Sequence, residues 1–198
     1  MNARVSINAQ QRGSSPSTET SIRPTPIRKP LQLISTQGQV QIHTSSFRGS
    51  FSVVLSEALR SAGLGSNVLI AQFLRGGVNQ GPNGAIHLCG KLEWLRPAIE
   101  TCIPEQISEE YLSLKRKYEE KAIRELWECC KTRLAEKKID KIVLDEIGMA
   151  ISLGFIEEKD LIFMIDNRPP STDIILTGPS IPNKVIEMAD QITELRCN

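Results

Sequence analysis

The chain has 198 residues and a mass of 22.0 kDa, enough for one sizeable hydrophobic core and too little for two full domains. Its residues are 40% hydrophobic and 24% charged, with a formal net charge of +1, so a wholly disordered or fibrous chain is excluded. No apolar run is long enough to span a membrane, and the N-terminus lacks the apolar centre of a secretory signal. We expect a cytoplasmic protein that makes no membrane contact. Its five cysteines form no C-x-x-C pair and are interpreted as reduced thiols.

Residues 1–30 differ in composition from the rest of the chain. They hold eight Ser or Thr, four Pro and five basic residues against a single acidic residue, Glu19. Such a segment buries too little apolar surface to offset its chain entropy. We therefore predict a disordered basic tail over 1–30 and a single domain over 31–198. The tail is open to binding a protein partner or to acting as a targeting peptide, although four prolines disfavour the amphipathic helix of a transit peptide.

From residue 38 onward, short β-rich runs alternate with helical stretches. This alternation predicts βαβ units, and hence an α/β fold with a mostly parallel central sheet and helices on both faces. A glycine-rich loop is expected at 75–84, where a strand end commonly faces a ligand. The predicted strands are 39–44, 67–73, 141–144, 173–177 and 192–195, with a further strand at His87 to Cys89. The predicted helices are 52–62, 108–137, 157–167 and 183–189.

The stretch 108–137 has the longest helical pattern. Apolar residues recur at spacings of three and four, which predicts one broad face on the core that includes Tyr118, Leu126 and Trp127. Acidic and basic residues are interleaved on the other face and nearly cancel, so we interpret them as a solvated surface. No nucleic-acid binding is expected.

The segment between the first predicted strand and its helix is a candidate phosphate site. A strand, a tight loop and a helix N-terminus present free backbone amides and the positive end of the helix dipole to an anion. A P-loop also needs several glycines, a lysine and a Ser or Thr that holds magnesium, whereas this loop has one glycine beside an arginine. The candidate nucleotide-binding residues, with one arginine of the glycine-rich loop, are Thr44, Ser45, Arg48, Gly49, Ser50, Ser52 and Arg75.

A second candidate site follows the apolar run 142–144, which ends in two adjacent carboxylates, Asp145 and Glu146. In a Walker B strand the aspartate helps to hold magnesium and the glutamate lies near the nucleotide. An apolar strand also ends in acids simply because its end meets water, so the pattern leaves both explanations open. Asp145 and Glu146 are our candidate magnesium ligands.

Five stretches occur in the same order as similar stretches of a known family. They are 42–52 (IHTSSFRGSFS), 71–77 (AQFLRGG), 92–94 (LEW), 142–156 (IVLDEIGMAISLGFI) and 168–196 (RPPSTDIILTGPSIPNKVIEMADQITELR). Over residues 38–196 the chain resembles the corrinoid adenosyltransferases of vitamin B12 synthesis and salvage. The resemblance implies a P-loop-type three-layer α/β domain that binds ATP with magnesium and a reduced corrinoid. In that reaction a Co(I) centre attacks the ribose 5′ carbon and expels triphosphate, while the protein supplies positioning and charge stabilisation.

The chain departs from the family pattern in three places. In the phosphate loop, Ser50 replaces the Walker lysine and Phe51 replaces the magnesium-binding hydroxyl, while Arg48 stands at the first lysine position. The stretch 95–110 lacks the aromatic residues that pack against the corrinoid. Pro179 takes the place of the usual arginine in the LTG motif.

These departures favour a family member with lost or weakened catalysis that acts as a non-catalytic interaction or regulatory protein. The retained Asp145 and Glu146 support the alternative, an active ATP:corrinoid adenosyltransferase of cobalamin biosynthesis with a remodelled phosphate loop. A nucleotide and a corrinoid are the implied ligands, and a homodimer is left open. His43 and His87 offer too little material for a histidine-based metal or Ser-His-Asp site, and we assign both to packing or backbone contacts.

Overall fold

The computed structural model describes residues 37–49, 51–77, 81–105 and 115–196. The strands are β1 (Val40–Ser45), β2 (Val68–Gln72), β3 (Ile86–Leu88), β4 (Leu92–Leu95), β5 (Lys141–Asp145), β6 (Asp173–Thr177) and β7 (Gln191–Leu195). The helices are α1 (Ser52–Gly63), α2 (Lys115–Ala135), α3 (Ile147–Ser152), α4 (Glu158–Asp166) and α5 (Asn183–Glu187). The strands form one sheet in the order β3-β4-β2-β5-β6-β1-β7, in which only the pairing of β3 with β4 is antiparallel.

The predicted α/β fold with a mostly parallel sheet is confirmed. The predicted strands and helices are present, with small shifts at their ends, but the start of the long helix, 108–114, and the predicted tail lie outside the described residues. Strand β4 and helix α3 were not predicted. Both are short, and a run of four or six residues shows too little of its period to separate strand from helix.

The two faces of the sheet carry separate apolar clusters, because successive strand residues point to opposite sides. On one face, Val143 and Ile175 pack with Ala58 of α1. On the other face, Leu144 and Leu176 belong to the larger cluster that includes residues of α2 to α5. Helices on both faces of the sheet give the three layers that the sequence predicts.

Helix α2 buries the apolar face that the sequence predicts, except at Tyr118. Leu126 and Trp127 are buried, but Tyr118 is 58% exposed and Glu119 takes the buried position. At about 100° per residue, position 119 falls in line with Ile123 and Leu126, whereas position 118 lies outside that stripe. Within the described ranges, no helix is long and apolar enough to cross a membrane.

Gly148 allows α3 to approach the chain that follows β6. A Cβ atom at this position would lie 2.6 Å from the carbonyl oxygen of Pro179 and 2.7 Å from the amide nitrogen of Ile181. Both neighbours are backbone atoms, which cannot rotate away as a flexible side chain could. The glycine therefore sets the distance between α3 and this segment.

We expect Gly148→Ala to lower the free energy of unfolding by about 1–3 kcal/mol through overpacking, measured by urea denaturation. Gly63→Ala is the matched control, because a Cβ at the end of α1 meets no described atom within 4 Å. The control should leave stability unchanged or raise it slightly. Equal losses in the two variants would contradict a special role for Gly148.

Candidate functional site

The carboxyl ends of four neighbouring parallel strands meet at one edge of the sheet. Each strand ends in a polar residue: Gln72 on β2, Asp145 on β5, Thr177 on β6 and Ser45 on β1. Glu146 follows β5 directly. In open α/β sheets, ligands bind outside the carboxyl ends of the strands, so this edge is the candidate functional site.

Asp145 is only 3% exposed, and both of its carboxylate oxygens accept a hydrogen bond. The Thr177 hydroxyl donates to Oδ1 at 2.5 Å, and the Gln72 amide donates to Oδ2 at 2.7 Å. Burial raises the pKa of Asp145, and the two hydrogen bonds partly oppose that rise. Neighbouring strands thus hold this carboxylate in one orientation.

Gln72 links Asp145 to the next strand of the sheet. Its Oε1 accepts hydrogen bonds from Trp94 Nε1 at 3.0 Å and from Arg96 Nε at 2.8 Å. Trp94 is half-buried and serves as a hydrogen-bond donor. Sequence reasoning missed Gln72, Thr177 and Arg96 as members of the site. Gln72 and Thr177 each end a strand after a run of apolar residues, which is too weak a pattern to identify a site residue.

Glu146 is fully buried and begins α3 from a left-handed backbone conformation, with φ of 61°. The chain after β6 passes close by, since a Cβ on Gly178 would lie 3.0 Å from the Glu146 Cα. Arg48 Nε donates to Oε1 of Glu146 at 2.8 Å, and Arg48 Nη2 donates to Oε2 at 2.9 Å. This bidentate pair satisfies both oxygens of the buried carboxylate.

The Arg48 guanidinium makes two further contacts with backbone carbonyls. Nη2 donates to the oxygen of Leu74 at 3.2 Å, and Nη1 donates to the oxygen of Ile103. Hydrogen bonding to Glu146 raises the pKa of Arg48, so the guanidinium stays charged. One side chain therefore joins the loop after β1 to the chain after β2, to the start of α3 and to the segment 96–105.

Arg75 brings a second guanidinium to the same acids. Its Nη2 lies 3.6 Å from Oε1 of Glu146, and its Nε lies 3.8 Å from Oδ2 of Asp145. The Nε is buried and has no hydrogen-bond partner in the part of the chain that is described. Two guanidinium groups thus lie against the two carboxylates, and Arg96 adds a third on the other side of Gln72.

The structure brings together four of the predicted site residues, Arg48, Arg75, Asp145 and Glu146. Ser45 instead donates its hydroxyl to the backbone oxygen of Phe47 at 2.5 Å. Ser52 is exposed at the first position of α1, and Ser50 is outside the described residues. Among the residues that are described, no hydrogen bond joins the acids to Thr44, Ser45, Gly49 or Ser52.

This arrangement does not fit a magnesium ion. All four oxygens of Asp145 and Glu146 already accept hydrogen bonds from side chains. Phe51, at the position of the family's metal-binding hydroxyl, is buried in the apolar cluster under α1. In the described ranges no group of three His, Cys, Asp or Glu residues is placed to hold a metal ion. Mg²⁺ requires oxygen ligands that are free to coordinate it.

A mostly parallel sheet, a strand–loop–helix unit at β1 and paired acids after β5 define a P-loop-type α/β protein. The sequence model of the family described as "ATP:corrinoid adenosyltransferase BtuR/CobO/CobP" matches residues 36–198. The chain therefore belongs to the ATP:corrinoid adenosyltransferase family, and the resemblance stated from the sequence is confirmed.

Several curated proteins are similar to this chain over most of its length. The corrinoid adenosyltransferase of Escherichia coli strain K12 is 25% identical over 160 residues, which cover 81% of this chain and 77% of that protein. The corrinoid adenosyltransferase CobA of Salmonella typhimurium strain LT2 has the same identity and coverage. The corrinoid adenosyltransferase of Pseudomonas aeruginosa strain PAO1 is 23% identical over 166 residues, which cover 80% of this chain and 75% of that protein.

His43 lies on β1 near the phosphate loop, half-buried, with its ring edge-on to Phe51 at a centroid distance of 6.3 Å. Burial lowers the pKa of His43, and Glu57 opposes the shift. The folded state therefore binds fewer protons than the unfolded state just below the ordinary pKa of 6.5. Stability from neutral His43 is present above that pH and is lost as the pH falls through it.

We expect the wild type to lose more unfolding free energy than His43→Gln when the pH falls from about 7 to about 5, measured by urea denaturation. His87→Gln, at an exposed position on β3, is the control and should keep the wild-type slope. Identical slopes for the wild type and His43→Gln would show that burial of His43 has no effect on its protonation.

Proposed function

We propose that this family member has lost or weakened adenosyl transfer from ATP to a Co(I) corrinoid and acts as a non-catalytic interaction or regulatory protein. The observation that carries the proposal is the bidentate pair between Arg48 and Glu146. It joins Arg48, which stands at the family's first lysine position, to the acid that the Walker B pattern places near the nucleotide. Neither group is then free for triphosphate or metal.

The residue types of the phosphate loop support the same conclusion. Ser50 is neutral and cannot supply the charge-assisted phosphate contact that a lysine makes. Phe51 is 5% exposed and packs with Val54 and Ala58, so its place in the loop serves the apolar core under α1. A triphosphate bound at this loop would lack contact with both the Walker lysine and the metal-binding hydroxyl.

The corrinoid side of the site is also altered. The stretch 95–110 lacks the family's aromatic residues, and the structure describes it as far as residue 105. In that part, Ile99 and Ile103 are buried in the larger core cluster. The Ile103 amide donates to the Leu74 oxygen at 2.9 Å, and the Ile103 oxygen accepts from Arg48. This segment thus packs in the core and binds the Arg48 guanidinium. It offers no aromatic surface to a corrinoid.

The proposed mode of action is protein binding in the cytoplasm. The basic residues of 1–30 outnumber its single acid, Glu19, and would favour an acidic partner surface. A homodimer is compatible with the same proposal.

One observation favours the alternative, an active adenosyltransferase with a remodelled loop. Arg75 Nε is buried without a hydrogen-bond partner in the described structure, although it points to within 3.8 Å of Asp145. An orphaned donor next to the candidate phosphate site would gain a partner from a phosphate oxygen. In that alternative, Arg75 contacts the triphosphate, and Arg48 leaves Glu146 when nucleotide binds.

Calorimetry with MgATP and an adenosylation assay with chemically reduced corrinoid distinguish the two functions. We expect no MgATP binding at millimolar concentration and no adenosylated product, because the loop lacks its lysine and metal ligand. The E. coli relative is the positive control for the assay. Micromolar binding of MgATP together with product formation would overturn the proposal in favour of the active enzyme.

A paired set of variants refines that experiment. Ser50→Lys combined with Phe51→Thr restores the two missing groups and should raise MgATP affinity above the wild-type level. Should the wild type bind MgATP, Arg48→Ala tests whether Arg48 holds the phosphates. In that role its removal should abolish MgATP binding, and unchanged binding would exclude the role. No gain in the restored double variant would mean that the loop backbone itself has changed.

A further inference from the structure

The cation at the acidic end of β5 is supplied by the protein itself. We propose that Arg48 is a built-in counter-ion that takes the place of a divalent metal, so that Asp145 and Glu146 stay closed to Mg²⁺ and Mn²⁺ while Arg48 is present. The inference rests on the proposed function, in which the site no longer uses the metal that accompanies ATP in this family. It goes further in assigning that loss to one side chain.

The charges of the site support this assignment. Asp145 and Glu146 carry two negative charges, and Arg48 and Arg75 lie against them with two positive charges. Both carboxylates are almost fully buried, so each needs a partner of opposite charge close by. Both acids are already paired with arginines, so an added divalent cation would bring two uncompensated charges into a site with little solvent to screen them.

The geometry holds Arg48 in this position from several sides. Its guanidinium uses Nε, Nη1 and Nη2 for hydrogen bonds to Glu146, to the Leu74 oxygen and to the Ile103 oxygen. The Leu74 oxygen is in turn bound by the Ile103 amide, so the two carbonyl partners are themselves fixed. A metal ion would have to displace a charge held by four hydrogen bonds.

Removal of the guanidinium leaves a set of oxygen ligands behind. Both carboxylate oxygens of Glu146 and the carbonyl oxygens of Leu74 and Ile103 lose their Arg48 donors together. Carboxylate and carbonyl oxygens are the ligands that Mg²⁺ and Mn²⁺ prefer. A variant without the arginine should therefore acquire a divalent cation site where the wild type has none.

The test compares Mn²⁺ binding by the full-length wild type, Arg48→Ala and Arg60→Ala, using electron paramagnetic resonance of free Mn²⁺ and the Mn²⁺ dependence of Tm. Arg60 is a matched control, because it is an exposed arginine on α1, 3.8 Å from Glu57. We expect Arg48→Ala to bind Mn²⁺ at least about tenfold more tightly than the wild type. Its Tm should start lower and rise with Mn²⁺, since a ligand of the native state stabilises it. The Arg60→Ala protein should behave as the wild type.

Two results would overturn the inference: equal Mn²⁺ affinity in the wild type and Arg48→Ala, or no Mn²⁺ binding by the folded variant. If Arg48→Ala does not fold, Arg48→Met keeps the aliphatic volume and replaces it. If neither variant folds alone, Mn²⁺ must restore folding, because the metal then supplies the missing charge; no rescue overturns the inference. The experiment uses neither ATP nor corrinoid, so its outcome is separate from the adenosylation assay.

Discussion

The site depends on one constraint: a fully buried carboxylate must have a cation beside it. Glu146 is placed by the left-handed turn that leads from β5 into α3, with the Gly178 backbone close against it. At that position water cannot solvate the charge, and an unpaired carboxylate would be strongly destabilising. Arg48, from the loop after β1, meets the requirement with a bidentate contact.

This pairing gives a physical account of the proposed loss of phosphate binding within one fold. The family pattern places cations and a metal-binding hydroxyl at the end of β1, directed at triphosphate. In this chain Ser50 and Phe51 stand at two of those positions. The remaining cation, Arg48, turns inward to the acids after β5, and Phe51 joins the apolar core. In the proposed function, the same strand–loop–helix unit binds an internal carboxylate where the family pattern places a phosphate.

Much of the site was accessible from residue pattern. Arg48 and Arg75 were predicted as nucleotide-binding residues from the loops that carry them, and Asp145 and Glu146 as magnesium ligands from the Walker B pattern. In the structure the two arginines lie against the two acids. Gln72 and Thr177 were missed, since one uncharged polar residue at the end of an apolar strand has no distinctive local pattern. Their importance comes from β2 and β6 both lying next to β5, which places their side chains on the two oxygens of Asp145.

Local information was sufficient for the α/β class, for most element positions and for the family, because strand and helix periods and short ordered motifs are properties of neighbouring residues. Which side chains form pairs was decided only by the tertiary structure. Arg48 and Glu146 are separated by 98 positions, and their contact exists because the sheet sets β1 and β5 two strands apart with their carboxyl ends together. The direction in which a flexible arginine points depends on burial and on partner carbonyls, which no local pattern encodes.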